Sequence, residues 1–312
     1  MQAGKPKTVP PQQAVMQARM MIQRRDLAGA EKLLRVSIAS SPGAFAAARL
    51  LAELLCKRKE AKAACEVLAG AARASGEAKN LFDASTLAIQ SGEIVLGAQL
   101  LDEAIVKDPK NLQARIQLGQ LLMSYGDSSR ASAVLGPVIQ IDPFNLPALE
   151  MLASIQVSAQ ARIVDLSIFH HLVKVSPDRR KSLRLLAIAE RYAGRLADAV
   201  EHSREALESR DPESCASHAD LLELSGQGDE GLRILEPHGK GTGPLSPHVA
   251  MVLARLLVRE KRVAEAVEML DRGLRSPNIT PASVSSLSLQ RGSALSKRPS
   301  FEEAWEAWIS FA

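Results

Sequence analysis

Aromatic residues, cysteines and long apolar stretches are all scarce in this chain of 312 residues. Phe, Trp and Tyr make up 3% of the sequence, which argues against a β-sheet protein, because sheets favour aromatic and β-branched side chains. No run of eighteen apolar residues occurs, so we expect no membrane-spanning helix and no membrane partner. The three cysteines have no metal-ligand spacing. Their odd number favours a reducing, cytoplasmic location over a disulfide framework.

Neither a block of one charge nor a catalytic constellation is visible. The formal charge is +4, from 39 basic and 35 acidic residues that are mixed along the chain, and so small a surplus does not indicate a nucleic-acid partner. His170 and His171 are the only histidine pair. Adjacent helical residues point about 100° apart, so these two cannot bind one metal ion together. We therefore expect no metal, no cofactor and no enzymatic activity.

The chain is instead rich in alanine and leucine, which recur in a ladder with a period of thirty-three to thirty-five positions. Its clearest copy consists of Leu118, Gly119, Leu122, Gly126, Ala131, Leu135 and Pro143. One period earlier the ladder consists of Ala84, Ser85, Ala88, Gly92, Gly97, Leu101, Ala104 and Pro109. Steps of three and four keep these residues on one helical face. A period of this length predicts stacked helical hairpins, that is, an α-solenoid.

We divide the chain into a disordered lead-in, residues 1–10, and one solenoid, residues 11–312. The solenoid has nine hairpins, each with a first helix A and a second helix B. Their approximate bounds are 11–43, 44–77, 78–110, 111–144, 145–178, 179–212, 213–245, 246–280 and 283–312. Gly92 and Gly126 suit a left-handed exit from helix A, and Asn111 and Asn145 are predicted to cap the following helices.

This pattern resembles the tetratricopeptide repeat family from about residue 11 onward, and it does so best in the third and fourth hairpins. The resemblance implies a right-handed superhelix of about nine repeats, whose A helices line a concave groove that binds peptides or protein surfaces. The weakest repeats are 145–178 and 213–245. Asp165 stands where Ala is expected, and Pro137 is predicted to interrupt helix B of the fourth repeat. The glycine-rich segment 237–244 invites comparison with a phosphate-binding loop, but such a loop needs a preceding strand, which the sequence does not predict here. We therefore predict that the segment is a flexible connector.

By the same resemblance, two groups of side chains lie on the floor of the groove. They are Phe82, Ile89, Ile116, Gln120 and Met123 in the third and fourth repeats, and Lys181, Arg184 and Arg191 in the sixth. The first group includes an apolar strip that would accept a partner helix or a hydrophobic peptide. The second would bind acidic side chains or a terminal carboxylate. Interior packing is the alternative for the strip, and pairing with Asp220 and Glu223 of the next hairpin is the alternative for the basic cluster.

The last hairpin holds both tryptophans of the chain. Trp305, Trp308 and Phe311 lie close together in the sequence, and exposed aromatic residues often mark a partner surface. Self-association or docking on another protein would use this end. The segment from Phe301 to Trp305 also resembles the final repeat of bacterial proteins that join tetratricopeptide repeats to a sulfotransferase domain.

The sequence thus favours a non-catalytic, cytoplasmic scaffold that binds another protein or a peptide in its concave groove. Two alternatives remain. In the first, the chain is the substrate-presenting repeat region of a sulfotransferase-type enzyme. In the second, it is a structural element that assembles through its C-terminal face.

Overall fold

A computed structural model describes residues 9–159, 164–208, 210–277 and 279–297. These residues form seventeen α-helices and one short 3-10 helix, and they contain no β-strand. The predicted all-α class is therefore confirmed. None of the described helices is both long enough and apolar enough to cross a lipid bilayer. The chain divides into two compact units, Met1–Leu152 and Ala153–Ala312.

The first unit contains four complete helical hairpins and the start of a fifth. Its helices are α1 (Pro11–Gln23), α2 (Leu27–Ser40), α3 (Phe45–Lys57), α4 (Ala61–Ser75), α5 (Ala78–Gln90), α6 (Ile94–Lys107), α7 (Leu112–Ser124), α8 (Ser128–Ile141) and the beginning of α9 (Leu146–Ser158). The two helices of each complete hairpin pack together, and α2, α4 and α6 also pack against the helix that follows. Packing between chain neighbours is typical of a helical repeat protein.

The second unit continues the same alternation. After the end of α9, its helices are α10 (Leu166–Val175), α11 (Arg179–Tyr192), α12 (Leu196–Glu205), α13 (Pro212–Leu224), α14 (Gly228–Leu235), the 3-10 helix Glu236–Gly239, α15 (Pro247–Arg259), α16 (Val263–Leu274) and α17 (Pro281–Leu295). Eight predicted hairpins are thus present with bounds close to those expected. The ninth is described only as far as its first helix, α17.

Between helix A and helix B, the chain passes through one residue with a positive φ. Gly92 and Gly126 hold this position with φ of 83° and 78°, as predicted. In three other hairpins Arg25, Lys59 and Lys261 occupy it, with φ of 64°, 65° and 61°. A residue with a Cβ loses about 1–2 kcal/mol in this conformation. Packing of the two helices therefore maintains the turn where the sequence does not favour it.

The predicted caps of α7 and α9 are confirmed. The side-chain oxygen of Asn111 accepts a hydrogen bond from the backbone N–H of Ala114 at 3.0 Å. Asn145 accepts one from the N–H of Ala148 at 3.3 Å. Each cap satisfies a donor that the first turn of a helix leaves without a partner.

In most hairpins helix B approaches helix A through a small buried residue. In seven hairpins these residues are Ala30, Ala64, Gly97, Ala131, Ala199, Gly231 and Ala266. A Cβ added to Gly97 would lie 2.5 Å from Cγ1 of Ile89 on the facing helix, so the two helices leave no room for a larger side chain. About one helical turn after the small residue, helix B places a buried leucine in the core. This leucine has a constant spacing from the residue with positive φ between the two helices, which we call the left-handed residue. These leucines are Leu34, Leu68, Leu101, Leu135, Leu235 and Leu270.

The fourth and fifth hairpins differ from prediction in two places. Asp165 does not lie inside helix B but caps α10, because its Oδ1 accepts the N–H of Ser167 at 3.0 Å. The small-residue position consequently falls on Phe169, which is fully buried. The predicted interruption at Pro137 was wrong, since α8 continues through it to Ile141. Proline removes a single backbone donor, and the packing of α8 against α7 retains the helix.

The segment between α14 and α15, predicted to be a flexible connector, is anchored by Arg272 of α16. Arg272 is 2% exposed. Its Nε donates to the carbonyl oxygen of Gly243 at 2.7 Å, and its Nη1 donates to that of Gly239. The backbone N–H of Leu245 donates to the carbonyl of Arg272 at 3.2 Å. The glycine-rich segment therefore has fixed contacts. Its carbonyl groups accept hydrogen bonds from Arg272 and so offset part of the free energy needed to bury that cation.

Replacing Arg25 with glycine should stabilise the first hairpin by about 0.5–1 kcal/mol, because glycine adopts a positive φ without steric cost. The measurement is amide hydrogen exchange in α1 and α2. Arg24→Gly is the matched control, since Arg24 is equally exposed but has a φ of −83°. Glycine there should accelerate exchange, and equal effects of the two substitutions would contradict the assigned turn.

Replacing Arg272 with methionine should release the segment between α14 and α15, because the carbonyl groups of Gly239 and Gly243 lose their donor. Trypsin cleavage after the exposed Lys240 should become faster by about tenfold or more. The control is Arg275→Met, which changes an exposed arginine at the end of the same helix. The assignment fails if both variants are cleaved at the rate of the parent protein.

Candidate functional site

Three basic side chains on one face of α11 line a single cavity. The cavity has a volume of about 380 Å³, and Lys181, Arg184 and Arg191 belong to its wall. The wall also contains the apolar side chains of Val157, Leu185, Ile188 and Leu221 and the polar ones of Ser203 and His218. We call this site the α11 cavity. The structure thus places the predicted basic cluster together, at a surface with both charged and apolar parts.

The three cations differ in how they are paired. Lys181 is exposed and has no ion pair among the described residues. Arg184 lies 3.8 Å from Asp211, and both side chains are more than a third exposed. Such a pair contributes little in water. Pairing between hairpins therefore accounts for only part of the predicted cluster.

Arg191 belongs to a network that crosses three helices. Its Nη1 lies 2.6 Å from Oδ2 of Asp220, which is 9% exposed. The other oxygen of Asp220 is bound by Arg255, which also contacts Glu223 at 2.9 Å. Two guanidinium groups share two carboxylates, so the network has no net formal charge. Arg191 is consequently held in position at the edge of the cavity.

The buried part of the α11 cavity contains a hydrogen-bonded Ser–His pair. His218 is 1% exposed and Ser203 is 6% exposed. Nδ1 of His218 lies 2.6 Å from Oγ of Ser203, and Ser203 donates to the carbonyl of Val200 at 2.9 Å. The Nε2 atom of His218 has no hydrogen-bond partner among the described residues. Burial lowers the pKa of His218, which favours a neutral ring.

Both members of this pair stand where other hairpins have apolar core residues. Ser203 lies at the helix B position that is otherwise Leu34, Leu68, Leu101, Leu135, Leu235 and Leu270. His218 lies at the helix A position that is otherwise Leu51, Ala84, Leu118, Leu186 and Leu253. Two polar residues thus replace core residues at adjacent places. Serine is also much smaller than leucine, so the exchange leaves space beside His218.

Glu190 is a further polar residue at a core position, where other hairpins have Ala88 and Leu122. It is 1% exposed and lies 2.8 Å from Nδ1 of His202. Burial raises the pKa of Glu190, against the hydrogen bond from His202. The ring of His170 lies edge-on to that of His202, with centroids 6.3 Å apart. Sequence spacing did not reveal the pair of Glu190 and His202, because the two residues come from different helices.

In the first unit the residues of the predicted strip have different surroundings. Phe82 is half-buried and lines a cavity of about 620 Å³ with Arg49 and Leu87. Ile89 packs instead over Gly97 within its own hairpin.

The other predicted residues of the strip lie on α7, outside the lining of that cavity. Ile116 and Met123 are half-buried, and Gln120 is exposed. Binding of a partner by this strip therefore remains a prediction.

Three predicted interface residues, Trp305, Trp308 and Phe311, lie outside the described residues. The proposals of self-association and of a linked sulfotransferase depend on them and remain predictions. In the described part of the chain, no three His, Cys, Asp or Glu side chains are arranged to hold a metal ion.

The free energy of unfolding should depend on pH through Glu190. Because the folded protein raises the pKa of this carboxyl, folding favours its protonated form. Its contribution to stability is therefore fully present below the ordinary pKa, near 4.5, and is lost as the pH rises through the raised value. Glu190→Gln should gain stability relative to the parent over that range, measured by urea unfolding between about pH 4 and pH 8. Glu201→Gln, which alters an exposed glutamate of α12, should show no such trend.

Comparison with known proteins points to one family. Residues 88–155 match the family model described as tetratricopeptide repeat. No curated protein matches the chain. A mutant of MamA is 18% identical with a TM-score of 0.43, and the alignment covers 51% of this chain and 94% of that one. A monomeric mutant of IFIT1 with m7Gppp-AAAA is 14% identical with a TM-score of 0.47, covering 85% and 68%. YrrB, described as a tetratricopeptide repeat protein with an unusual peptide-binding site, is 14% identical with a TM-score of 0.43, covering 62% and 97%.

The matched residues run from the end of α5 into α9. The features of that region recur in hairpins on both sides of it: the left-handed residue between the helices, the small residue of helix B and the leucine that follows it. Residues 88–155 are thus similar to the tetratricopeptide repeat family, and the described helices on both sides form hairpins of the same kind.

Proposed function

We propose that this protein is a non-catalytic scaffold that binds an acidic segment of another protein at the α11 cavity. The observation that carries the proposal is the placement of Lys181, Arg184 and Arg191 beside an apolar wall in one cavity. Ligand sites commonly combine apolar walls with a few well-placed polar groups. Basic side chains in such a site favour carboxylate ligands.

The paired and unpaired cations have different roles in this proposal. Lys181, which is exposed and without an ion pair in the described residues, attracts the acidic segment. Arg184 exchanges a weak contact with Asp211 for one with the ligand. Arg191, which Asp220 fixes at 2.6 Å, supplies a guanidinium of defined orientation.

A protein segment is a better partner for this cavity than a nucleic acid. A phosphate backbone requires a continuous basic surface, whereas Asp211 and Asp220 contact two of the three cations. Alternating charge together with apolar side chains suits a peptide that presents both acidic and apolar groups.

The test uses fluorescein-labelled pentapeptides of the form Glu-Glu-X-Glu-Glu, in which X is each of the twenty amino acids, and the same series with Gln in place of Glu. Fluorescence anisotropy at two salt concentrations measures binding. We expect the parent protein to bind members of the Glu series at least about tenfold more tightly than their Gln counterparts, and more weakly at high salt. Equal binding of the two series would contradict the proposal.

The variant that locates the site is Lys181→Glu combined with Arg184→Glu, which should abolish the preference for the Glu series. Its matched control is Arg179→Glu combined with Arg180→Glu, with the same charge change on the same helix. Those arginines lie outside the cavity and pair with Glu205 and Glu208. Loss of binding in both double variants would indicate a general charge effect instead of a site.

A further inference from the structure

The buried end of the α11 cavity has a hydrogen-bonding requirement that the described chain does not meet. Because Ser203 donates its proton to the carbonyl of Val200, its oxygen is available as an acceptor for His218. Nδ1 of His218 therefore carries the ring proton and donates it to Ser203 over 2.6 Å. This leaves Nε2 as an acceptor with no partner among the described residues.

Core packing does not explain this pair. Leucine fills the position of Ser203 in six other hairpins, with at most 3% of its surface exposed. A leucine at either position would avoid burying polar atoms, which costs free energy when a hydrogen bond is left unmade. The chain instead buries an acceptor in a residue that lines the α11 cavity. Because Nε2 itself is inaccessible to water, a donor from the cavity reaches it only after neighbouring side chains shift.

The surroundings restrict which donor can reach Nε2. The cavity is walled by Leu185, Ile188 and Leu221, so the group that fills it must be largely apolar. A cationic donor is disfavoured by Lys181 and Arg184 at the same cavity. Among protein side chains, tyrosine and tryptophan combine a large apolar ring with a neutral O–H or N–H donor, and both usually find a partner when buried.

We propose that the α11 cavity takes a tyrosine or tryptophan side chain of the acidic segment, whose O–H or N–H donates to Nε2 of His218. This inference rests on the proposed function of the same cavity and adds its specificity. Flanking acidic residues bind Lys181 and Arg184, while the ring lies against the apolar wall. His218 then distinguishes an aromatic ring with a donor from one without.

The same pentapeptide series tests the proposal when X is Tyr, Phe, Trp or N1-methyltryptophan, because each matched pair differs mainly in the donor. With the parent protein, Tyr should bind about tenfold more tightly than Phe, and Trp about tenfold more tightly than N1-methyltryptophan. In His218→Phe, which keeps a planar ring without an acceptor, both differences should disappear. Circular dichroism of the variant checks that it is folded.

A direct readout is the 15N signal of the His218 ring at neutral pH, where lowering of the pKa by burial keeps it neutral. The Nε2 resonance should move upfield on addition of the Tyr peptide and remain in place with the Phe peptide, since only a donor to Nε2 changes its shielding. Should His218→Phe fail to fold, this titration of the parent protein decides the matter alone.

The possible results separate the two proposals. Preference for the Glu series with equal affinity for Tyr and Phe, and no movement of Nε2, would overturn the role of His218 and leave the proposed function standing. Binding that does not distinguish the Glu from the Gln series would overturn both. Preference for Tyr that persists in His218→Phe would assign the recognition of the donor to another group and would also overturn this inference.

Discussion

The close approach of the two helices within each hairpin is the constraint on which the rest of the fold depends. A Cβ added to Gly119 of α7 would lie 2.7 Å from Cδ2 of Leu135 on α8, and one added to Gly231 would lie 3.0 Å from the carbonyl oxygen of Ala219. At such distances the backbone of one helix is in contact with the other, so the connection between them must be short. The left-handed turn provides it, even where Lys59 must adopt a positive φ. The turn residue, the small residue and the leucine that follows are therefore one geometric unit.

Because that unit repeats, a polar residue at one of its core positions is an exception that requires a compensating interaction. Glu190 is compensated by His202, and Ser203 by His218 and Val200. All three core positions belong to α11, α12 or α13, which also contribute most of the wall of the α11 cavity. A polar residue at an apolar core position costs free energy wherever it occurs. Because these residues are grouped on the helices that line one cavity, we connect them with a binding site.

The sequence predicted the fold well because each hairpin is set by local features. Turn glycines, small residues and caps such as Asn111 act within one period, and their spacing gave hairpin bounds close to those observed. The prediction for Asp165 failed because it assumed a constant period, whereas the cap of α10 comes later in its repeat. Once the hairpins are aligned on the left-handed residue, Ser203, His218 and Glu190 can be recognised in the sequence as polar residues at core positions.

Pairing of the basic cluster with Asp220 was an expected alternative, and Arg191 makes that pair, but the other contacts of the site could not be predicted in the same way. The bond between Asp220 and Arg255 joins helices of different hairpins, and its formation depends on the rotation of each helix about its axis. The same limitation applies to Phe82 and Ile89, which share a helix. One lines a cavity, while the other packs over Gly97. A spacing of seven residues indicates a shared face, but it does not indicate whether that face meets solvent or the partner helix.

The availability of the cations in the α11 cavity follows from what their nearest acids already do. Asp211, the partner of Arg184, caps α13, where its two oxygens accept the backbone N–H groups of Glu213 and Ser214 at 3.2 and 3.1 Å. A carboxylate in that position is stabilised by the helix dipole as well as by these donors, so it does not need Arg184. Asp220, in contrast, has no such donors among its described contacts, and it binds Arg191 and Arg255 directly. A ligand carboxylate can therefore take over Arg184 without leaving an uncompensated charge, whereas displacing Arg191 would leave a nearly buried aspartate with half of its counter-charge. The site thus has one guanidinium that Asp220 holds in place, that of Arg191, and one whose ion pair can be exchanged, that of Arg184. A partner carboxylate should gain most by binding Arg184.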